Sequence, residues 1–166
     1  TIAPVTGGCV TIVDPNFNVG ETRDTLEEDN VPWRANLNWH ATDDVLLYAN
    51  VSRGFKAGNF PTLSASDASQ FTPVTQEELT AYETGFKATF PAGRMQLNGA
   101  AFYYDYINKQ LRGRVSDPLF GQLEALVNVP RSHVWGTEVQ WTWAPVGGFT
   151  ANVGAGWRTV NVGSVP

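Results

Sequence analysis

Six stretches of this chain alternate apolar and polar residues with a period of two. In VPWRANLNWHA (31–41), Trp33, Ala35, Leu37, Trp39 and Ala41 share one parity, and Arg34, Asn36, Asn38 and His40 the other. VLLYANVSR sets Val45, Leu47, Ala49 and Val51 against Leu46, Tyr48, Asn50 and Ser52, and LTAYETGFKATF sets Tyr82, Thr84, Phe86, Ala88 and Phe90 against Glu83, Gly85 and Lys87. MQLNGAAFYYDY opposes Met95, Leu97, Gly99, Ala101 and Tyr103 to Gln96, Asn98, Ala100 and Phe102. HVWGTEVQWTW opposes Trp135, Thr137, Val139, Trp141 and Trp143 to Gly136, Glu138, Gln140 and Thr142. The last, FTANVGAGW, opposes Phe149, Ala151, Val153, Ala155 and Trp157 to Thr150, Asn152, Gly154 and Gly156. Alternate side chains of a strand point to opposite faces, so each stretch predicts a strand with one apolar and one wet side. No helical periodicity competes over windows of this length.

A soluble sheet turns its apolar face inward, whereas a membrane barrel turns it out to lipid. Three observations choose the second. None of the residues on the six apolar faces is charged. The connections alternate: short turns at 42–44, 91–94 and 144–148 are separated by long polar excursions at 55–77 and 108–132. Outer-membrane barrels have this arrangement, with short periplasmic turns and long extracellular loops. Finally, Trp33, Trp39, Phe90, Trp141, Trp143, Phe149 and Trp157 gather toward strand ends, where amphipathic rings suit a membrane interface. The expected fold is therefore all-β: about six strands of an antiparallel up-and-down transmembrane β-barrel. Trp33, Leu37, Trp39, Val139, Trp141, Trp143, Val153 and Trp157 are expected to face the membrane. Residues 1–30, rich in Gly, Pro, Thr and acids, read as an extracellular loop with a strand end, 31–158 as barrel strands, and 159–166 as the start of a further loop.

Composition supports this picture. Only 16% of the 166 residues are charged, below the roughly 25% of soluble domains. No apolar run reaches the roughly 18 residues of a membrane helix. A net charge of −5 argues against nucleic acid as a partner, because phosphate binding needs a basic surface. The single cysteine, Cys9, cannot form an internal disulfide and reads as a loop thiol. His40 and His133 lie on separate runs without a zinc-binding spacing. The acids at 27–29 and 43–44 lack the ligand spacing of a calcium loop. No catalytic, metal or cofactor constellation is present, so the chain reads as a non-enzyme. The charges on the wet faces (Arg34, Glu83, Lys87, Glu138 and Arg158) and the neighbouring Gln140 suit a hydrated or plug-filled lumen, where Glu83 and Lys87 could also pair with each other. Buried in a soluble core, such charges would be costly.

Three segments carry a resemblance to a known family. DDVLLYANVSRGFKAGNF (43–60) contains Ser52, Arg53, Gly54, Phe55 and Lys56 after a Tyr-bearing strand. ELTAYETGFKATFPAGRMQLNGAAFYYDY (78–106) carries Glu83, Gly85 and Lys87, then an aromatic cluster at Phe102, Tyr103 and Tyr104. NVPRSHVWGTEVQW (128–141) carries Asn128, Gly136 and Glu138. In order and spacing these resemble the barrel of TonB-dependent outer-membrane receptors. The resemblance implies a fragment, about a quarter of a 22-stranded barrel, in the bacterial outer membrane. It further implies contact with lipid and lipopolysaccharide, a plug domain and a TonB complex outside this sequence, and import of a scarce nutrient such as a ferric siderophore, cobalamin or oligosaccharide. Arg53, Lys56, Asn59, Phe60 and Arg131, in or beside the long excursions, are the candidate ligand contacts, since loops on a rigid scaffold carry recognition. The other account of them is a glycine-permitted bend whose cations meet lipopolysaccharide phosphates. Two further functions stay open at this point: a secreted β-sandwich that stacks sugars on its tryptophans, and a passive porin.

Overall fold

The computed structural model describes residues 18, 20, 23–60, 71–90, 94–117 and 121–163. Cys9 lies outside them. Six strands follow one another: β1 (Trp33–Thr42), β2 (Val45–Lys56), β3 (Glu77–Phe90), β4 (Met95–Asp117), β5 (Gly121–Trp143) and β6 (Ala151–Val162). They form one sheet in sequence order, every neighbour antiparallel. This is an up-and-down meander, the topology of a barrel wall, and the sheet is open at β1 and β6.

The register puts the apolar parities of all six strands on one side. Leu37, Ala49, Thr84, Ala101, Thr137 and Trp157 are joined pair by pair into a single row across the sheet. The next row is Trp39, Leu47, Phe86, Gly99, Val139 and Ala155. A slip of one residue in any pairing would flip a whole strand, so the agreement is a property of the entire sheet. Only Ala41 departs: the register shifts between His40 and Thr42 as the chain enters the turn.

No second layer covers the apolar side among the described residues. Leu37 is 70%, Val139 46% and Val153 56% exposed, where a sandwich would bury all three. The buried hydrophobic side chains are Val74 and Val129, far from the centre of the apolar rows. The β-sandwich alternative is therefore rejected.

Large apolar residues bracket the apolar side at a constant interval. Tyr82 and Phe90, Met95 and Tyr103, and Trp135 and Trp143 are each eight residues apart on three successive strands, and Phe149, two residues before β6, stands eight before Trp157 within it. Eight residues span about 27 Å along a strand. At a tilt of about 40° that becomes roughly 21 Å of depth, close to the roughly 25 Å apolar band of outer-membrane barrels. The upper bracket also slants. Trp33 stands four residues above the Leu37 row, Tyr82, Tyr103 and Trp135 two above it, and Trp157 in the row itself. Strands inclined to the membrane normal produce this descent. Ring contacts follow the same line, with centroids 6.2 Å apart for Tyr82–Tyr103 and 4.8 Å for Trp135–Trp157.

Two regions differ from expectation. Residues 108–132 are mostly ladder: pairing continues from Lys109↔Val129 out to Asp117↔Gly121 in unchanged register. The segment is polar, yet it keeps a run of Leu111 and Gly113 opposite Val127 and Ala125, and the two strands stay paired through it. Likewise β6 runs to Val162, through part of the stretch expected as loop.

Glycines admit aromatic rings from the adjoining strand. Tyr48 lies opposite Gly85, and Phe102 opposite Gly136. A Cβ at Gly136 would fall 2.8 Å from the Phe102 ring and closer still to the Trp157 carbonyl oxygen, which is backbone and cannot yield, whereas at Gly154 it would come no nearer than 4.0 Å to the Val139 carbonyl oxygen, an ordinary contact. Gly136→Val in the whole barrel is expected to lower stability by about 1–3 kcal/mol and Gly154→Val to change it little, as read by denaturant unfolding of the detergent-solubilised protein.

Candidate functional site

The polar side of the sheet is assembled from the opposite parity. Asn36, Asn50, Glu83, Phe102, Gly136 and Arg158 form one row. Below it run Asn38, Tyr48, Gly85, Ala100, Glu138 and Gly156, then His40, Leu46, Lys87, Asn98, Gln140 and Gly154. All the residues expected to face the lumen (Arg34, Glu83, Lys87, Glu138 and Gln140) are thus on one face. Lys87, Glu138 and Gln140 surround an open groove of about 490 Å³ with Tyr48 and Asn98, floored by Ala100, Gly154 and Gly156. Small residues there leave room for something to approach the wall, and the rim supplies both signs of charge and amide groups. Arg34 Nε donates to Asn50 Oδ1 at 3.1 Å. Glu83 and Lys87 stand four residues apart on β3, about 13 Å along a strand, and among the described residues no ion pair joins them.

Beyond the upper aromatic line the chain builds a mouth. The Glu28 carboxylate accepts the Gly58 N–H at 2.7 Å and the Gln76 N–H at 2.5 Å, tying the segment before β1 to both stems of the excursion between β2 and β3. Asn59 and Val74 exchange backbone hydrogen bonds at 3.0 and 2.9 Å. From the projecting hairpin, Gln110 Nε2 donates to the carbonyls of Ala57 and Thr75, at 2.9 and 3.2 Å. Asn128 treats Thr75 as a strand neighbour would: its Oδ1 accepts the Thr75 N–H at 2.8 Å and its Nδ2 donates to the Thr75 carbonyl at 3.0 Å. Nδ2 also reaches the carbonyl of Asn108, at 2.7 Å. Asn108 has φ 51, a left-handed conformation that asparagine tolerates better than most residues.

A third feature lies on the outward side, just above the upper aromatic line. Arg53 meets Glu78 at 2.7 Å, and Arg131 grips Asp105 through Nε at 3.1 Å and Nη2 at 2.7 Å. His133 Nδ1 is 3.2 Å from Asp105 and 2.8 Å from the Tyr103 hydroxyl. Asp105 stands outside the apolar band, and the Arg131 guanidinium holds its carboxyl below the ordinary range despite partial burial.

The five candidate ligand contacts do not gather in one place. Arg53 and Arg131 share the outward side, and Lys56 ends β2 on the opposite parity, across from Glu77. Asn59 is held by its backbone to Val74. Phe60 lines a separate surface groove of about 770 Å³ with Arg23, Asp24, Thr25, Phe71 and Pro73. Glu28, Gln110, Tyr103 and Asp105 were not foreseen as working residues. Their partners are 30 or more positions away in most cases, and only the alternating pattern that predicted β4 and β5 could have hinted at their placement. No group of three or more metal-ligating side chains occurs among the described residues.

A family model described as TonB dependent receptor-like, beta-barrel, matches residues 10–165. Among solved structures, the chain is similar to the ferric yersiniabactin uptake receptor FyuA from Yersinia pestis: 20% identity, TM-score 0.62, covering 78% of this chain and 18% of that one. It is also similar to the alcaligin outer-membrane receptor FauA from Bordetella pertussis (17%, TM-score 0.57, 84% and 24%) and to the copper transporter OprC (14%, TM-score 0.57, 76% and 20%). At these identities the likeness is one of fold, and the chain spans about a fifth to a quarter of each structure's length. No curated protein sequence matches it. With its sheet order, its two-sided register and a family match over nearly the whole length, the chain belongs to the TonB-dependent receptor β-barrels, proteins of the bacterial outer membrane that are not enzymes.

Proposed function

We propose that the barrel to which this wall belongs imports a scarce nutrient, a metal chelate such as a ferric siderophore, across the outer membrane. The observation that carries the proposal is the two-sided sheet: uncharged rows exposed without a covering layer on one side, and mixed charges over a roomy groove on the other. A water-filled or plug-filled lumen is the setting in which Glu83, Lys87, Glu138, Gln140 and Arg34 remain hydrated or hydrogen-bonded. In this arrangement they face the plug domain, and TonB acts on that plug from the periplasmic side. The short connections at 43–44 and 144–150 lie in the periplasm, and the mouth and the projecting β4–β5 hairpin lie at the cell surface, in contact with lipopolysaccharide. The names of two of the similar structures specify a ferric compound and copper, which supports a metal-bearing cargo.

The mouth supplies the recognition surface. Its base is rigid, because Asn128, Gln110 and Glu28 fasten the stems of the β2–β3 excursion to the wall and to the segment before β1.

Three measurements test this. Val139→Arg places a cation on the lipid side at an expected cost of about 2–4 kcal/mol near the midplane, whereas Gln140→Arg, one residue on and facing the lumen, is tolerated. Heat-modifiability gels of the whole receptor read the contrast, and equal damage from both substitutions would mean the faces are reversed. Asn128→Ala removes the Thr75 clamp, so amide hydrogen exchange over 73–77 is expected to accelerate at least about fivefold, corresponding to a net loss of about 1 kcal/mol per hydrogen bond. In iron-limited cells, uptake of the cognate chelate is expected to vanish on deletion of either the receptor or TonB. Uptake that survives without TonB would favour the passive porin.

A further inference from the structure

We propose that the inner side of β4 carries a stacking track for an anionic metal chelate built from aryl oxyanions, the catecholate or phenolate class. The inference rests on the uptake reading above and narrows its cargo. Three rings alternate along one side of the strand: Phe102, Tyr104 and Tyr106. They share the parity of Glu83 and Glu138, opposite to that of Tyr103 and Asp105. The run covers about 14 Å at strand rise. Phe102 lies one residue below Tyr103 of the upper aromatic line, and the two tyrosines lie above it. The track therefore leads from the mouth down to the roomy groove, whose lining on this strand begins at Ala100.

The rings stand as a ridge with space beside them. Tyr104 has Ala81 on one side, with Ser52 beyond it, and Phe102 has Gly136 across the β5 ladder. Tyr106 lies between Leu79 and Ser132, and beyond Leu79 comes Gly54, where an added Cβ would meet nothing within 4 Å. All three rings are only half-buried. Phe102 and Tyr104 already stack on each other, with centroids 4.9 Å and planes 27° apart, so a flat guest finds one stacking face after another along the strand. Charge sets the sign of the guest. Lys109, reaching past the left-handed Asn108, holds its Nζ 4.0 Å from the Tyr106 centroid, and Lys56 ends β2 on the inner parity. The carboxylates at this level are committed to the wall: Glu77 accepts the Gln110 N–H at 2.8 Å, and Glu28 holds the N–H groups of Gly58 and Gln76. Among the described residues neither lysine has an ion pair. Two cations at the head of a ring ladder suit a chelate whose ligands are flat and whose net charge is negative. A chelate of aliphatic carboxylates meets the charge but has no ring to stack.

The test uses the full receptor in detergent with two anionic probes, the ferric complexes of dihydroxybenzoate and of citrate, and reads binding by equilibrium dialysis with radioactive iron. The dihydroxybenzoate complex is expected to bind at least about tenfold more tightly than the citrate complex. Tyr104→Ala/Tyr106→Ala is expected to weaken that binding at least about tenfold, whereas Tyr104→Phe/Tyr106→Phe, which keeps the rings, stays within about threefold of the parent. Lys109→Glu is expected to weaken it about tenfold as well, and more so at low salt. That variant carries the test if the alanine variant does not assemble. Equal binding of the two complexes, or unchanged binding in an assembled alanine or glutamate variant, overturns the track. Unchanged binding together with faster proteolysis of the plug in the alanine variant assigns the rings to plug packing instead. Uptake in iron-limited cells separates this proposal from the reading it rests on. A dihydroxybenzoate complex that binds as expected but is not imported with TonB removes the import reading alone, whereas TonB-dependent import from both complexes alike removes only the track.

Discussion

Everything in this structure follows from one constraint: the backbone must satisfy its hydrogen bonds while one side of the sheet touches hydrocarbon. Strands meet it because the ladder pairs the N–H and C=O groups of each strand that has a neighbour on both sides, leaving side chains to face the solvent on either side. The price of that solution is strict parity. Each residue on the outer side must be tolerable to lipid, and the next along must be tolerable to water or to a polar filling. Leu37 and Asn38, or Val139 and Gln140, are adjacent in the chain but lie on opposite faces.

A parity pattern can be seen without coordinates, and for that reason much of the wall was legible in the sequence. The alternation of Trp33 to Trp39 and of Trp135 to Trp143 specified both the strands and their faces, and the absence of charge on those faces indicated which medium lay outside. Less legible was where pairing stops. At 108–132 polarity suggested a loop, because polarity reports the solvent around a residue and not whether its backbone is paired. Two strands can remain a paired ribbon through a polar stretch, as β4 and β5 do. Ala41 shows the opposite limit: periodicity continued past the point where the turn had already shifted the register.

The mouth was the least legible part. Asn128 attracted notice through family resemblance, but its role emerges only when Thr75, 53 positions earlier, is seen beside it. Glu28 stood in an acidic run without the ligand spacing of a calcium loop, yet its two oxygens each hold a backbone amide from a different stem. Contacts of this kind leave no periodic trace, since they depend on how loops fold back and not on which face a residue occupies. Arg53 and Arg131 show a related limit. Their proximity to long excursions suggested ligand contact, and parity, applied as strictly to them as to the tryptophans, puts both on the outward side with carboxylates for partners.

The β4–β5 ribbon continues fourteen residues past Tyr103 on β4 before its turn, a paired length of roughly 48 Å at strand rise. A two-stranded ribbon twists along its length without losing rungs, and this one stands as a twisted mast planted in the wall. Whatever approaches that edge of the sheet meets this mast before the rest of the wall. Because the root of the mast is bonded to Thr75 and Ala57, a sideways push at its tip is delivered as leverage to the floor of the entrance.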